Sequence, residues 1–164
     1  MANELITLPG VAIKIENVGV FIQGESNVGK SELALALIQQ GHALIADDAV
    51  NLRCHDQTTI ELSCPTELQN LLELRNFGIL NIQQLYGDNA VCDKASCNLI
   101  IQLEKNASTP LDRVLGSYDK QLILGAEIPR ITIGNASERS LVACVKLAVR
   151  CLSSPPKSWK ISSL

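Results

Sequence analysis

GVFIQGESNVGKSELALALIQQ, residues 19–40, decides how this chain is built. Its centre fits the phosphate-binding pattern G-x-x-x-x-G-K-[ST], with Gly24, Gly29, Lys30 and Ser31 at the fixed positions. Two glycines let the backbone curl so that its N–H groups point at an anion. The amino terminus of a following helix adds positive potential. Lys30 can reach the outer phosphates, and the Ser31 hydroxyl can hold a magnesium ion. Upstream, GVFIQG (19–24) reads as a short buried strand running straight into the loop. Downstream, ELALALIQQ (32–40) reads as a nearly all-apolar helix that stops before Gly41. Strand, glycine loop and helix are the parts a phosphate cradle needs.

The rest of the chain bounds what this cradle serves. With 164 residues it fits one domain, large enough to bury about two-thirds of its unfolded surface. A net charge of −3 and a pI near 5.4 leave no basic face for nucleic acid. Aromatic residues make up 3% of the chain, too few for a base-stacking platform. No apolar run is long enough to span a bilayer, and MANELITLPG lacks signal-peptide character, so a cytoplasmic location is expected. The six cysteines form no C-x-x-C pair, and His42 and His55 are not placed to complete a zinc site. Thiols in apolar runs are expected to pack as small hydrophobes.

Working outward, GVAIKI (10–15) and GVFIQG predict a hairpin joined by ENV. HALIADD (42–48) predicts a buried strand ending in two acids, with NLRCHD and TTIELSCP as further strands. Pro65 predicts the opening of a helix over TELQNLLEL (66–74). FGILNIQQLYG has no clear period. NLIIQLE (98–104) and IPRITI (128–133) predict strands around a polar loop, KNASTPLDRVLGSYDKQ (105–121). SERSLVACVKLAVRCL (137–152) has apolar residues at 141, 145, 148 and 152, the spacing of a helix, behind a serine cap. Residues 1–152 then form the domain and SSPPKSWKISSL (153–164) a frayed tail. Strands outnumber helices, so the sheet is expected to be mixed.

A cradle binds; transfer also needs a metal-holding acid and a group to handle a hydroxyl proton. Asp47 and Asp48 end the strand that follows the phosphate-loop helix. Strand neighbours point to opposite faces, so one is expected to face the phosphates and the other to orient or hold magnesium. Glu73 in LLELRNFG is a second candidate magnesium ligand, and Arg75 a candidate to steady phosphoryl oxygens, both read as lying on a helix end. Arg113 and Arg139 are further basic candidates.

GESNVGKSELALALIQQGHALIADDAV, then LLELRNFGILNIQQLYG, LDRVLG and EIPRITI, in this order, resemble the catalytic domain of HPr kinase/phosphorylase from about residue 9 to residue 150. The E-x-R-x-x-G-I signature after a phosphate loop carries the resemblance. It implies an α/β P-loop domain of the phosphoenolpyruvate carboxykinase-like type, a mixed β-sheet with flanking helices. It implies a short form without the N-terminal domain of longer members. The activity implied is a protein serine kinase that moves a phosphoryl group from ATP or pyrophosphate to a serine of the phosphocarrier protein HPr. The reverse reaction uses inorganic phosphate and releases pyrophosphate. By position, Gly24, Glu25, Ser26, Asn27, Val28, Gly29, Lys30 and Ser31 bind nucleotide phosphates, and Ser31 and Glu73 hold Mg2+. The Asp47–Asp48 pair supplies the base, Lys30 and Arg113 steady the transferring group, residues 72–81 form the signature loop and 134–139 the dephosphorylation loop, with Arg139 kept. A homo-hexamer is implied as well.

The chain departs from the family pattern at three places. Pro9 stands where the family usually has a catalytic histidine, Asn76 where the signature has glycine, and GNASER (134–139) where a Pro/Gly-rich basic run is usual. Two other readings therefore accompany the kinase: a nucleotide-binding regulatory module with weakened catalysis, and a small-molecule kinase on the same scaffold.

Overall fold

Continuous apolar runs mark the central strands, because residues on both of their faces are buried: Val11 to Ile13, Val20 to Ile22 and Leu99 to Ile101 are all inside. The computed structural model describes residues 4–56, 58–105, 118–135 and 140–154. Among them the strands are β1 (Glu4–Ile15), β2 (Val18–Gly24), β3 (Ala43–Cys54), β4 (Ile60–Ser63), β5 (Leu71–Leu74), β6 (Gly78–Asn81), β7 (Lys94–Lys105), β8 (Tyr118–Ile123) and β9 (Ala126–Asn135). The α-helices are α1 (Lys30–Gln39), α2 (Ile82–Tyr86) and α3 (Leu141–Ser153). The polar segment 106–117, residues 136–139 and the tail from 155 lie outside the described residues, and with them Arg113 and Arg139.

The predicted hairpin is present, and tighter than ENV suggested. Ile15 pairs with Val18, and the two turn residues, Glu16 and Asn17, take φ of 50° and 68°. That left-handed pair matches the twist of the flanking strands. α1 stops where expected, with Gly41 just past its cap donating to the Ile38 carbonyl at 2.9 Å. In α3 the Ser140 hydroxyl accepts from the Ala143 N–H at 3.2 Å.

The main sheet runs in the order β2-β1-β3-β4-β7-β9-β8, and β2 also pairs with β7. The strands β2, β1, β3, β4 and β7 thus form a closed circuit of pairings. β2–β7 and β7–β9 are parallel and the other pairs antiparallel, so the sheet is mixed, as expected. Two cores lie on its two faces. On one, Val11, Ile13, Val20 and Ile22 meet Leu33 and Leu37 of α1 and Val145 and Ala148 of α3. On the other, Ala12, Phe21, Val50, Leu52, Leu62 and Ile100 pack among strands alone. The helices therefore cover one face; the second core is closed by the sheet itself.

Three expectations change. HALIADD and NLRC are one twelve-residue strand, β3, because β1 pairs along all of it. Residues 66–74 are not a helix: a 3-10 turn at Thr66–Leu68 gives way to Asn70 at φ 68°, and Leu71–Leu74 pairs with β6. The polar stretch to residue 121 is not all loop, since Tyr118 opens β8 against β9. The six cysteines form no disulfide among the described residues, and Cys54, Cys97 and Cys144 are buried. Burial pushes the Cys97 thiol up to about 12, as befits a core residue.

Candidate active site

β2 ends at Gly24, beside the carbonyl of Leu103 on β7. A Cβ on Gly24 would sit 2.5 Å from that oxygen, so only glycine lets the strand turn into the loop there. Asn27 at φ 68° and Gly29 at φ 103° continue the curl. Gly29 caps α1 without any side-chain bond, which leaves the first helical N–H groups for another acceptor. Val28 is 1% exposed and anchors the loop into the helical core, while Glu25 faces solvent. The Lys30 ammonium folds back onto the carbonyls of Gly24 (2.7 Å) and Glu25 (2.8 Å). Burial lowers its pKa, against the pull of Asp47, Asp48 and Glu32.

A cavity of about 430 Å³ opens over this loop. Gly24, Ser26, Asn27, Gly29, Lys30 and Ser31 line it from the loop side. Asp47, Asp48, Glu73 and Arg75 line it from the other. Asp48 takes φ 73°, a left-handed turn inside β3, and both carboxyl residues border the same cavity. Asp47 is 5% exposed, whereas Asp48 is exposed. Each Asp47 oxygen has a partner: Oδ1 accepts from the Ser31 hydroxyl at 3.0 Å, and Oδ2 from the Glu73 N–H at 2.9 Å. Burial raises the Asp47 pKa, and these two hydrogen bonds oppose the rise.

Glu73 and Arg75 lie on a hairpin rather than a helix end. β5 and β6 pair from Leu71↔Asn81 to Leu74↔Gly78, and Leu72 and Leu80 turn inward. Asn76 sits in the hairpin turn at φ 65°. Asparagine tolerates that conformation, so its side chain does not block the turn that the family pattern gives to glycine. Pro9 also borders the cavity, at a point of β1 that has no partner on the β2 side, where a missing N–H costs least.

Gly10 and Glu32 are cavity residues that the sequence reading passed over. Gly10 pairs with Asp48, and a Cβ there would lie 2.6 Å from the Ile22 carbonyl. A glycine inside an apolar strand is the signal that could have marked this close approach. Among the described residues, no group of three His, Cys, Asp or Glu side chains could hold a metal ion. A hydroxyl and one or two carboxylates beside a phosphate cradle suit magnesium, which takes its remaining ligands from phosphate and water.

Residues 1–159 match the family described as HPr Serine kinase C-terminal domain. The chain belongs to this family. It is 40% identical over 149 residues to an HPr kinase/phosphorylase from Azoarcus sp., covering 90% of this chain and 48% of that protein. It is 42% identical over 146 residues to the HPr kinase/phosphorylase of Chromobacterium violaceum, covering 87% and 46%. The chain thus spans about half the length of the curated relatives it matches. A solved structure, the HPr(Ser) kinase/phosphatase from Coxiella burnetii, superposes with a TM-score of 0.82 at 33% identity, covering 90% of each chain. No described helix is long and apolar enough to cross a membrane.

Proposed function

We propose that this chain carries the catalytic domain of a cytoplasmic HPr serine kinase/phosphorylase, a P-loop fold of the phosphoenolpyruvate carboxykinase-like type that acts as a homo-oligomer. The observation that supports it is convergence: the phosphate loop, the Asp47–Asp48 pair and the Glu73–Arg75 hairpin border one cavity. ATP, or pyrophosphate, is the donor, with its phosphates on the Gly24–Ser31 loop and Lys30 moving from the loop carbonyls to the outer phosphate. Ser31 and Glu73 would hold Mg2+, which when bound neutralises charge on the phosphate oxygens.

In the forward direction the seryl oxygen of HPr forms a bond to the terminal phosphorus while the phosphoanhydride bridge breaks. The seryl proton passes to the Asp47–Asp48 pair, and the raised pKa of Asp47 suits a carboxylate that must accept a proton. Arg75 steadies the transferring oxygens. In reverse, an oxygen of inorganic phosphate attacks the phosphoserine phosphorus, and the pair returns the proton to the departing seryl oxygen. Arg113 and Arg139, outside the described residues, are assigned to the same transfer by their place in the family pattern.

The test is incubation of the chain with Mg2+, ATP and HPr, read by mass spectrometry. Serine-phosphorylated HPr supports the reading. Nucleotide binding without phosphoprotein supports instead a regulatory module with weakened catalysis, a reading that Pro9 at the cavity wall favours because proline moves no proton. Adding inorganic phosphate to phosphorylated HPr tests the reverse reaction through the pyrophosphate released.

A further inference from the structure

A row of polar side chains crosses the helix-free face of the sheet just before the phosphate loop begins. Ile22 belongs to the helix-covered core and Phe21 to the other, so alternation turns Gln23 onto the helix-free side. Gln102, Gln121, Asp119 and Arg130 fall on the same face by the same rule, in step with Ile100, Ile123 and Ile128. Gln23 Nε2 donates to the Gln102 oxygen at 2.7 Å and to the Gln121 oxygen at 2.8 Å. The Gln23 oxygen accepts from the Gln121 nitrogen at 3.4 Å. Arg130 donates from Nη1 to the Gln121 oxygen at 3.1 Å, and from Nε and Nη2 to the two Asp119 oxygens at 2.9 and 2.6 Å. In the order of pairing, β7 and β9 stand between β2 and β8. The β8 end of the sheet therefore curls back over this face to reach β2.

The charged pair sets the direction of the whole row. A guanidinium only donates, so the Gln121 oxygen must turn to Arg130. Gln23 then has to offer its nitrogen to that oxygen, and Gln102 has to offer an oxygen to Gln23. With the Asp119–Arg130 fork holding one end, the Gln23 side chain has a single arrangement. Gln23 is also the residue before Gly24, and Gln102 is its register partner on β7. From that point the backbone turns into the loop, and the Lys30 ammonium sits on the Gly24 carbonyl. We infer that Gln23 is a positioning residue for phosphoryl transfer. It fixes the point from which the phosphate loop springs, and the Asp119–Arg130 pair holds it there through Gln121. This rests on the kinase reading above, and it adds residues outside the cavity lining that set the geometry of the loop. A donor phosphate held slightly out of line still binds but transfers slowly.

The experiment compares the wild-type chain with Gln121→Leu, Gln121→Glu and Arg130→Lys. Each is assayed for HPr phosphorylation, ADP affinity and urea midpoint. Gln121→Leu removes the central acceptor without touching β2 or the loop. Its kcat is expected to fall about tenfold and its ADP affinity about threefold, with the KM for HPr within about twofold of wild type. Gln121→Glu keeps an oxygen for both Arg130 and Gln23, so its kcat and ADP affinity should stay within about twofold of wild type. A lower urea midpoint with kcat unchanged in Gln121→Leu overturns the inference, because the row is then only structural. An equal fall in kcat for the Leu and Glu variants overturns it too. Should Gln121→Leu fail to fold, Arg130→Lys decides, since one ammonium cannot reproduce the fork on Asp119 and reach Gln121 as well. A lower kcat with the KM for HPr unchanged then supports the inference, and a wild-type kcat overturns it. If the wild-type chain binds ADP but transfers nothing to HPr, the kinase reading fails first, and the inference falls with it.

Discussion

Replacing Asp47 separates what its charge does from what its shape does. The carboxylate is buried and accepts from the Ser31 hydroxyl and the Glu73 N–H, at 3.0 and 2.9 Å. Alanine removes both bonds and strands the Glu73 N–H. Hydrogen bonds to a charged group contribute about 1.5–3 kcal/mol each. Relief of the buried charge returns part of this, so Asp47→Ala is expected to lose about 2–3 kcal/mol. For a chain of this size that lowers Tm by about 4–12 °C. Asparagine keeps the shape. Its carbonyl accepts from Glu73, and its amide donates to Ser31, whose hydroxyl turns to accept. Asp47→Asn should therefore stay within about 1 kcal/mol of wild type.

The pH dependence gives a sign that the structure fixes. Burial raises the folded pKa of Asp47 above its ordinary 3.8. Below pH 3.8 the group is protonated in both the folded and unfolded states. As pH climbs from there through the raised folded value, the unfolded chain releases the proton first, and wild type loses stability relative to Asp47→Asn. Urea titrations of both proteins at intervals from pH 4 to 7 should show the gap widening in favour of Asn. A gap that is flat or narrows over that range would refute the burial argument, as would equal losses for Ala and Asn.

Other outcomes follow from the same geometry. Gly24→Ala should lose about 1–3 kcal/mol, because the added Cβ meets the Leu103 carbonyl at 2.5 Å at a φ of 154°; thermal unfolding and ADP titration should fall together. Lys30→Ala should weaken ADP binding about tenfold or more, since a charge-assisted phosphate contact is lost, and calorimetric titration reads it. Asp47→Asn combined with Asp48→Asn should abolish phosphoryl transfer while nucleotide still binds. Loss of ADP binding in that double variant would mean the acids hold the loop rather than the proton.

Legibility varied along the chain for physical reasons. The hairpin, the phosphate loop and α1 were readable because each carries its own local signal: alternation, fixed glycines and a glycine stop. TELQNLLEL misled because its apolar spacing suits a helix. Pairing of Leu72 with Leu80 and the left-handed Asn70 override that preference. FGILNIQQLYG resisted because it changes period in mid-run, from β6 into α2 at the Asn81 cap, whose side chain accepts from the Gln84 N–H. In the site, residue types were legible and their convergence was not. Asp47 and Asp48 border one cavity, and Asp48 takes φ 73°, an irregularity within the strand that the residue types do not announce. Nothing local in the sequence marks Glu73 as a neighbour of Asp47.

The ring of paired strands has a kinetic consequence. β2 is held by β1 on one edge and by β7 on the other, and Gln23 donates to Gln102, 79 positions away, at 2.7 Å. Such a strand has no free edge from which to peel. Its closure waits on distant segments, which slows assembly. Among the described residues, the amide hydrogens of this strand beneath the glycine loop are thus expected to exchange slowly. A segment that moves against this strand would have to be hung on it rather than built into it.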